Sequence, residues 1–160
     1  MLLEWPDPRL RQKAAPVGEI TDETQAIWDL MVATMEAMPG YGLAAPQLGI
    51  LQRLAVVDCS EERGRVVYLA DPEIVATGED THEWEEASPN LPGHAAWVTR
   101  PSPVTVAFTD REGRRIRQTF EGLWATSVQH QIDHLDGLMF FHRLSRTKRE
   151  MLLKKAGKRR

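Results

Sequence analysis

The stretch "QHQIDHLDG", residues 129–137, decides how this chain is read. At about 100° per residue, His130 and His134 lie roughly 40° apart on a helix and one turn along it, so both imidazoles can reach one ion. Metal hydrolases use this spacing to supply two ligands, with a neighbouring Glu as general base toward the metal-bound water. Here that neighbour is Gln131, an amide. Val128, Ile132 and Leu135 recur on one face of the same segment and Gly137 closes it. The pattern predicts a helix over about 122–136 with its apolar side toward the core. Two histidines at this spacing also describe ordinary residues on a helix, so the pair alone does not fix the chemistry.

Upstream of this helix the pattern is β-rich. Val104, Val106 and Phe108 alternate with Thr105, Ala107 and Thr109, which predicts a half-buried strand over 103–109. Asp110-Arg-Glu-Gly113 then reads as a hairpin turn into 115–120. Shorter β-rich runs cover 54–58, 66–70 and 73–77. The segment GYGLAAPQLG, 40–49, is too rich in glycine and small residues for an ordinary strand. Before it, Asp22 and Gln25 have the spacing of a capping box. Ile27, Trp28, Met31, Val32, Met35 and Met38 follow at helical spacing until Pro39-Gly40, and this stripe reads as core. Residues 1–20 read as irregular, with Pro6, Pro8 and Pro16 as breakers. A last helix is predicted over 145–156 through Met151, Leu152 and Leu153. Strands and helices do not alternate regularly, so the class is α+β and not a doubly wound parallel sheet.

The 160 residues, 42% hydrophobic and 27% charged, make one globular domain, with a body over 1–144 and a basic helical tail over 145–160. No apolar run approaches the ~18 residues of a membrane span, and the first residues lack the pattern of a signal peptide. A single cysteine, Cys59, excludes an internal disulfide and fits the reducing cytoplasm. It reads as a small buried hydrophobe. Charge is uneven: residues 143–160 hold nine Lys or Arg and one Glu, a balance of +8, so the chain at −3 leaves −11 on 1–142. Such a tail is either a solvated helix or a contact for a polyanion such as ribosomal RNA.

QHQIDHLDG resembles the QHExDHLxG motif of the peptide deformylases, with Gln131 in place of the Glu. GYGLAAPQ is similar to the family's GxGxAAPQ loop. WPDPRLRQKAAPV near the start and VTRPSPVTVAFTDREG between the two motifs agree in order and spacing, so the resemblance runs to about Arg149. It implies an α+β domain, usually monomeric, with antiparallel sheets around a central helix bearing the histidine pair. It also implies a divalent metal, iron as a rule with zinc or nickel as substitutes, held by two histidines and a cysteine. The reaction would be hydrolysis of the formyl group from N-formylmethionyl peptides. Its parts are a metal-activated water, a Glu acid/base, and an oxyanion site shared by the loop Gln and the backbone N–H after the ligand cysteine.

Carried over position by position, His130 and His134 match the histidine ligands and Gln47 the oxyanion amide. Gly42, Leu43, Ala44, Ala45 and Asn90 match substrate-binding positions. The family's EGCLS motif corresponds to EASPNLPG, 86–93, when Leu91-Pro92-Gly93 is held in register. Ser88 then stands at the cysteine ligand, and a hydroxyl that stays protonated near neutral pH is a poor ligand beside a thiolate. Gln131 stands at the Glu and has no proton to exchange. Pro89 stands at the oxyanion N–H and has none to give. A set of His130, His134 and one of Ser88, Asn90 or His94 is the alternative metal site. These departures imply a family member with weak or absent deformylase activity. An active amide hydrolase with a rebuilt site and a ribosome- or nascent-peptide-binding module are the competing readings.

Overall fold

The HxxxH segment is a helix wrapped on nearly every side. The computed structural model describes residues 1–158. In it α2, Gly122–Leu135, is buried at every residue from Ala125 to Leu135. Ala125, Val128 and Ile132 pack onto Val57, Leu69, Val104, Val106, Phe108 and Phe120 of the sheet. Gly137 follows the helix at φ +78°, and a Cβ there would meet the Arg11 carbonyl oxygen at 2.6 Å. Only glycine fits that closure.

The sheet has five antiparallel strands in sequence order: β1 (Gly42–Ala44), β2 (Leu54–Val57), β3 (Val67–Ala87), β4 (Ala95–Thr109) and β5 (Arg115–Phe120). β2 is buried on both faces. Ala55 and Val57 turn toward α2, while Leu54 and Val56 turn toward α1 (Asp22–Ala37), whose Trp28, Met31 and Met35 are fully buried. Each such side chain stabilises the fold by about 1.5–3 kcal/mol. The two helices therefore clamp opposite faces of one sheet, as the α+β class with a central HxxxH helix requires.

Three details differ from the sequence reading. The runs 66–70 and 73–77 belong to one strand of 21 residues, which continues to Ala87 through register shifts at Ala70/Glu73, Ile74/Ala76 and Thr77/Asp80. Most of residues 73–85 are exposed, so no hydrophobic alternation marks them. Its partner β4 likewise begins at Ala95 instead of 103. The cap of α1 is one residue earlier than Asp22: Thr24 N–H donates to Thr21 Oγ1 at 3.3 Å, and Thr21 N–H donates to Thr24 Oγ1 at 3.2 Å.

The basic tail forms α3, Arg146–Gly157, capped by Ser145. It is anchored as well as solvated, because Leu152, Leu153 and Ala156 pack with Leu3, Leu10, Phe140 and Phe141. Among the described residues no helix is long and apolar enough to cross a membrane.

Candidate functional site

A cleft of about 540 Å³ opens along one face of α2. Leu123, Thr126, Ser127, His130 and Gln131 line it, spaced as successive turns of a helix place them. The opposite wall is the turn into β1, with Met38, Pro39, Tyr41 and Gly42. The end of β3 closes it with Trp84, Glu86, Ser88 and Pro89. α2 thus gives its apolar face to the sheet and its polar face to the cleft.

Gly42 explains how closely these walls meet. A Cβ at that position would lie 2.5 Å from Gln131 Nε2 and 2.7 Å from Ser127 Oγ. Leu43, Ala44 and Ala45 are fully buried, and Leu43 and Ala45 pack against α1. Of the residues read as substrate-binding, Gly42 alone lines the cleft with its own atoms. The other loop positions hold that wall from behind.

Gln47, Ser88 and Asn90 come together as the sequence reading requires, but as a closed hydrogen-bonded set. Gln47 Oε1 accepts from Ala44 N–H at 2.9 Å, and Gln47 Nε2 donates to Asn90 Oδ1 at 2.6 Å and to Ser88 Oγ at 3.4 Å. Ser88 Oγ donates to Asn90 Oδ1 at 3.0 Å and accepts from Asn90 N–H at 3.3 Å. Asn90 is fully buried, and its Nδ2 donates to the Leu3 carbonyl. The serine hydroxyl thus spends its hydrogen on Asn90, which ties the turn after β3 to the loop after β1.

The histidine pair is brought together. His130 Nε2 and His134 Nε2 lie 3.1 Å apart, with His134 1% exposed and His130 8%. His130 Nδ1–H donates to Glu86 Oε1 at 2.8 Å. Glu86 is bound twice by Arg100, through Nε at 2.7 Å and through an Nη at 2.9 Å, and the other Nη of Arg100 reaches Asp133 at 2.9 Å. Arg143 closes the row on Asp133. Burial opposes ionisation of Glu86, but the His130 hydrogen bond and the Arg100 guanidinium hold its carboxyl below the usual range. Burial likewise opposes the charge on Arg100, and Glu86 and Asp133 outweigh it. His134 is driven the other way, well below the ordinary imidazole value, first by burial and then by His130 and Arg100. It is neutral at pH 7. Its hydrogen belongs at Nε2, facing the other ring, because Nδ1 has no partner among the described residues.

The Glu86–Arg100–Asp133–Arg143 row is absent from the sequence reading, although each member except Arg143 lies inside a quoted motif. Trp84, Leu123, Thr126 and Ser127 are further cleft residues that it does not identify. Helical spacing from His130 backward would have marked the last three. His94 and His82 join neither histidine of the pair. His142 is half-buried, with its Nδ1 accepting from Met139 N–H at 2.9 Å. Cys59 packs beside the core with its thiol 3.9 Å from the Tyr41 carbonyl oxygen, and burial pushes its pKa up to about 12. The sequence reading has it as a small buried hydrophobe; the structure leaves it partly buried.

Two imidazole nitrogens pointing at each other suit a shared ion, but the donors around them do not complete a site. Among the described residues no three His, Cys, Asp or Glu side chains are grouped as metal ligands. Ser88 brings a protonated hydroxyl already committed to Asn90. Glu86 is held by Arg100 and His130. A two-histidine donor set without an anionic third member does not fit a tightly held iron or zinc ion.

The family whose pattern matches this chain is described as polypeptide deformylase, over residues 1–150. A peptide deformylase of Xylella fastidiosa (strain M12) is 44% identical over 162 aligned residues, 99% of this chain and 95% of the relative. One from Phenylobacterium zucineum (strain HLK1) is 38% identical over 159, covering 98% and 94%. The crystal structure of a peptide deformylase from Legionella pneumophila superposes with a TM-score of 0.91 at 39% identity, over 99% of this chain and 93% of that one. That of the Thermus thermophilus peptide deformylase gives 0.87 at 40% identity, over 96% and 90%.

Proposed function

Since the chain belongs to the polypeptide deformylase family, we propose that it binds the N-formylmethionyl start of a polypeptide in the α2 cleft and does not hydrolyse it by the family's metal mechanism. One observation carries this reading: His130 at the cleft and buried His134 behind it converge at 3.1 Å, and among the described residues no three His, Cys, Asp or Glu side chains are grouped so that they could hold a metal ion. The base position supports it, because the Gln131 carboxamide has no proton to exchange near neutral pH. Pro89 at the cleft wall has no N–H to offer a developing oxyanion.

What remains suits recognition. β1 is the edge strand of the sheet, and Gly42 brings its backbone to the cleft wall, where an extended peptide can be added alongside. Leu123, Trp84 and Met38 offer apolar area to a first side chain. Gln47 Nε2, committed to Asn90 Oδ1 and Ser88 Oγ, braces the floor. A bound divalent ion would supply Lewis-acid activation of water. His130 and His134 are the residues that would contact such an ion.

The test is formyl release from a formyl-Met tripeptide, after anaerobic reconstitution with iron, nickel or zinc, beside direct titration of the same peptide. Expected is binding without turnover above the metal-only blank. Metal-dependent turnover abolished by His134→Ala would overturn the reading in favour of a rebuilt hydrolase.

α3 favours a compatible second element. Arg146, Lys148, Lys154 and Lys155 are exposed while Leu152, Leu153 and Ala156 hold the helix to the body. We propose that this face meets the RNA of a ribosome near an emerging chain, with the protein a cytoplasmic monomer.

A further inference from the structure

The cleft wall opposite α2 is a turn, and one arginine grips it from outside. Residues 38–42 carry the chain from α1 into β1, and all five line the cleft. Inner bonds hold this turn to its neighbours. Gly40 N–H donates to the Met35 carbonyl at 2.8 Å, and the Tyr41 carbonyl accepts from Asp58 N–H at 2.9 Å and from Ser127 Oγ at 3.1 Å. The Gly40 carbonyl is taken by a side chain from another loop. Arg63, between β2 and β3, donates to it through one Nη at 2.7 Å and to the Asp58 carbonyl through the other at 2.7 Å.

That loop is bent so as to bring the guanidinium there. The Asp58 carboxylate is fully buried and accepts from Ser60 N–H at 3.0 Å, Ser60 Oγ at 2.5 Å and Gly64 N–H at 2.8 Å, which closes residues 58–64 on themselves. Within it Arg63 has φ +59° and Gly64 φ +90°. A left-handed backbone is uncommon for a residue with a long side chain and persists where the surrounding bonds over-determine it. Glycine would take the same angle without strain, so the shape of the loop does not call for arginine. What arginine adds is a planar fork that spans two carbonyls, one in its own loop and one in the cleft wall.

Resting on the peptide-binding reading above, we propose that Arg63 is a positioning residue for the cleft, holding the 38–42 turn at the distance from α2 that an extended peptide needs. It lies outside the lining and acts through the Gly40 carbonyl. Gly42 shows why the distance matters. A Cβ there would stand 2.5 Å from Gln131 Nε2, so that end of the wall has no room to move inward, and the Gly40–Tyr41 end sets the opening. The exposed Tyr41 ring rides on the gripped turn and moves with it.

The experiment is calorimetric titration of formyl-Met-Ala-Ser into the full chain at neutral pH, beside thermal melts and amide NMR spectra. Arg63→Gly removes the fork and should weaken peptide binding about ten-fold, the order of one net hydrogen bond. Glycine relieves the left-handed strain while freeing the unfolded chain, so the melting temperature should change little. Arg63→Lys, a point donor that cannot span both carbonyls, should fall between the two. The Tyr41 amide shares a peptide unit with the Gly40 carbonyl, and its signal should shift in Arg63→Gly. A sub-denaturing addition of guanidinium chloride, matched in sodium chloride, should restore that signal and the affinity in Arg63→Gly and leave the wild type unchanged. Wild-type affinity in Arg63→Gly overturns the assignment while leaving peptide binding intact. So does a loss of affinity that tracks a lowered melting temperature and that guanidinium does not restore. A wild type that binds no peptide overturns the peptide-binding reading and this assignment with it.

Discussion

Restoring the family residues together should create an enzyme, and restoring them singly should not. The perturbation is Ser88→Cys, Pro89→Leu and Gln131→Glu. Glu has the shape of Gln, so it fits the space beside Gly42 and Ser127 that Gln131 now fills. A thiol at 88 gives up the Ser88 hydrogen bond to Asn90, while Gln47 and Asn90 still hold one another at 2.6 Å. Leucine at 89 returns a backbone N–H to the cleft wall. General acid–base catalysis is worth about 10²–10⁴-fold, and one oxyanion donor about 10²–10³-fold. The lower ends together give roughly 10⁴, or about 5.5 kcal/mol of transition-state stabilisation. The thiolate ligand is the condition for either factor to act, so the three effects are not additive. The assay is formyl release from a formyl-Met tripeptide with iron- or nickel-loaded protein. The triple variant is expected at least about 10⁴-fold above the wild type, and each single variant within about ten-fold of it. Robust turnover from Gln131→Glu alone would refute the argument, because it would mean that ligand and oxyanion donor are not limiting.

Arg100→Met should destabilise the fold by about 3–5 kcal/mol at pH 7, a fall in Tm of roughly 6–20 °C, because it leaves Glu86 and Asp133 buried with half their partners. Glu86, with its folded pKa depressed, adds stability above the ordinary Glu value of about 4.3, and this is lost as pH falls through the folded value. The deficit of the variant, read by urea unfolding, should therefore shrink below about pH 4. Cys59 should resist iodoacetamide at pH 8 in the folded protein and react fully in denaturant, since its pKa is pushed up to about 12; rapid labelling of the native state would count against that burial. Replacing Arg146, Lys148, Lys154 and Lys155 by Gln should flatten the dependence of log K for single-stranded RNA on log salt by about 0.7 per lost phosphate contact. An unchanged slope would remove α3 from RNA binding.

Legibility followed burial. α2 is readable because its apolar period and its chemistry share one short segment, from Val128 to Leu135. α1 is readable for the same reason, and its cap is misread by one residue only because Thr21 and Thr24 cap each other where Asp22 has the commoner residue type. Residues 73–85 fail because a strand mostly in water needs no alternation; register with β4, not hydrophobicity, makes it a strand. The site divides the same way. His130, His134, Gln47 and Ser88 carry motif spacing, whereas Glu86, Arg100 and Asp133 meet across 14 and 33 residues, which no local pattern records.

That buried row also bears on why the replacements occur together. Glu86 and Asp133 carry two negative charges, and Arg100 and Arg143 carry two positive ones, so the row is neutral by itself. By the family pattern, a thiolate and a carboxylate would stand beside it and balance a dication. Ser88 and Gln131 remove two negative charges at once, the charge of one divalent ion. A floor that kept the ion after losing both would bury an excess of +2, which several kcal/mol of desolvation would oppose. Losing only one would leave a single unmatched charge in either state. The paired substitution keeps the cleft neutral without an ion, and His134 Nε2–H against His130 Nε2, at 3.1 Å, satisfies the two nitrogens that would otherwise face it.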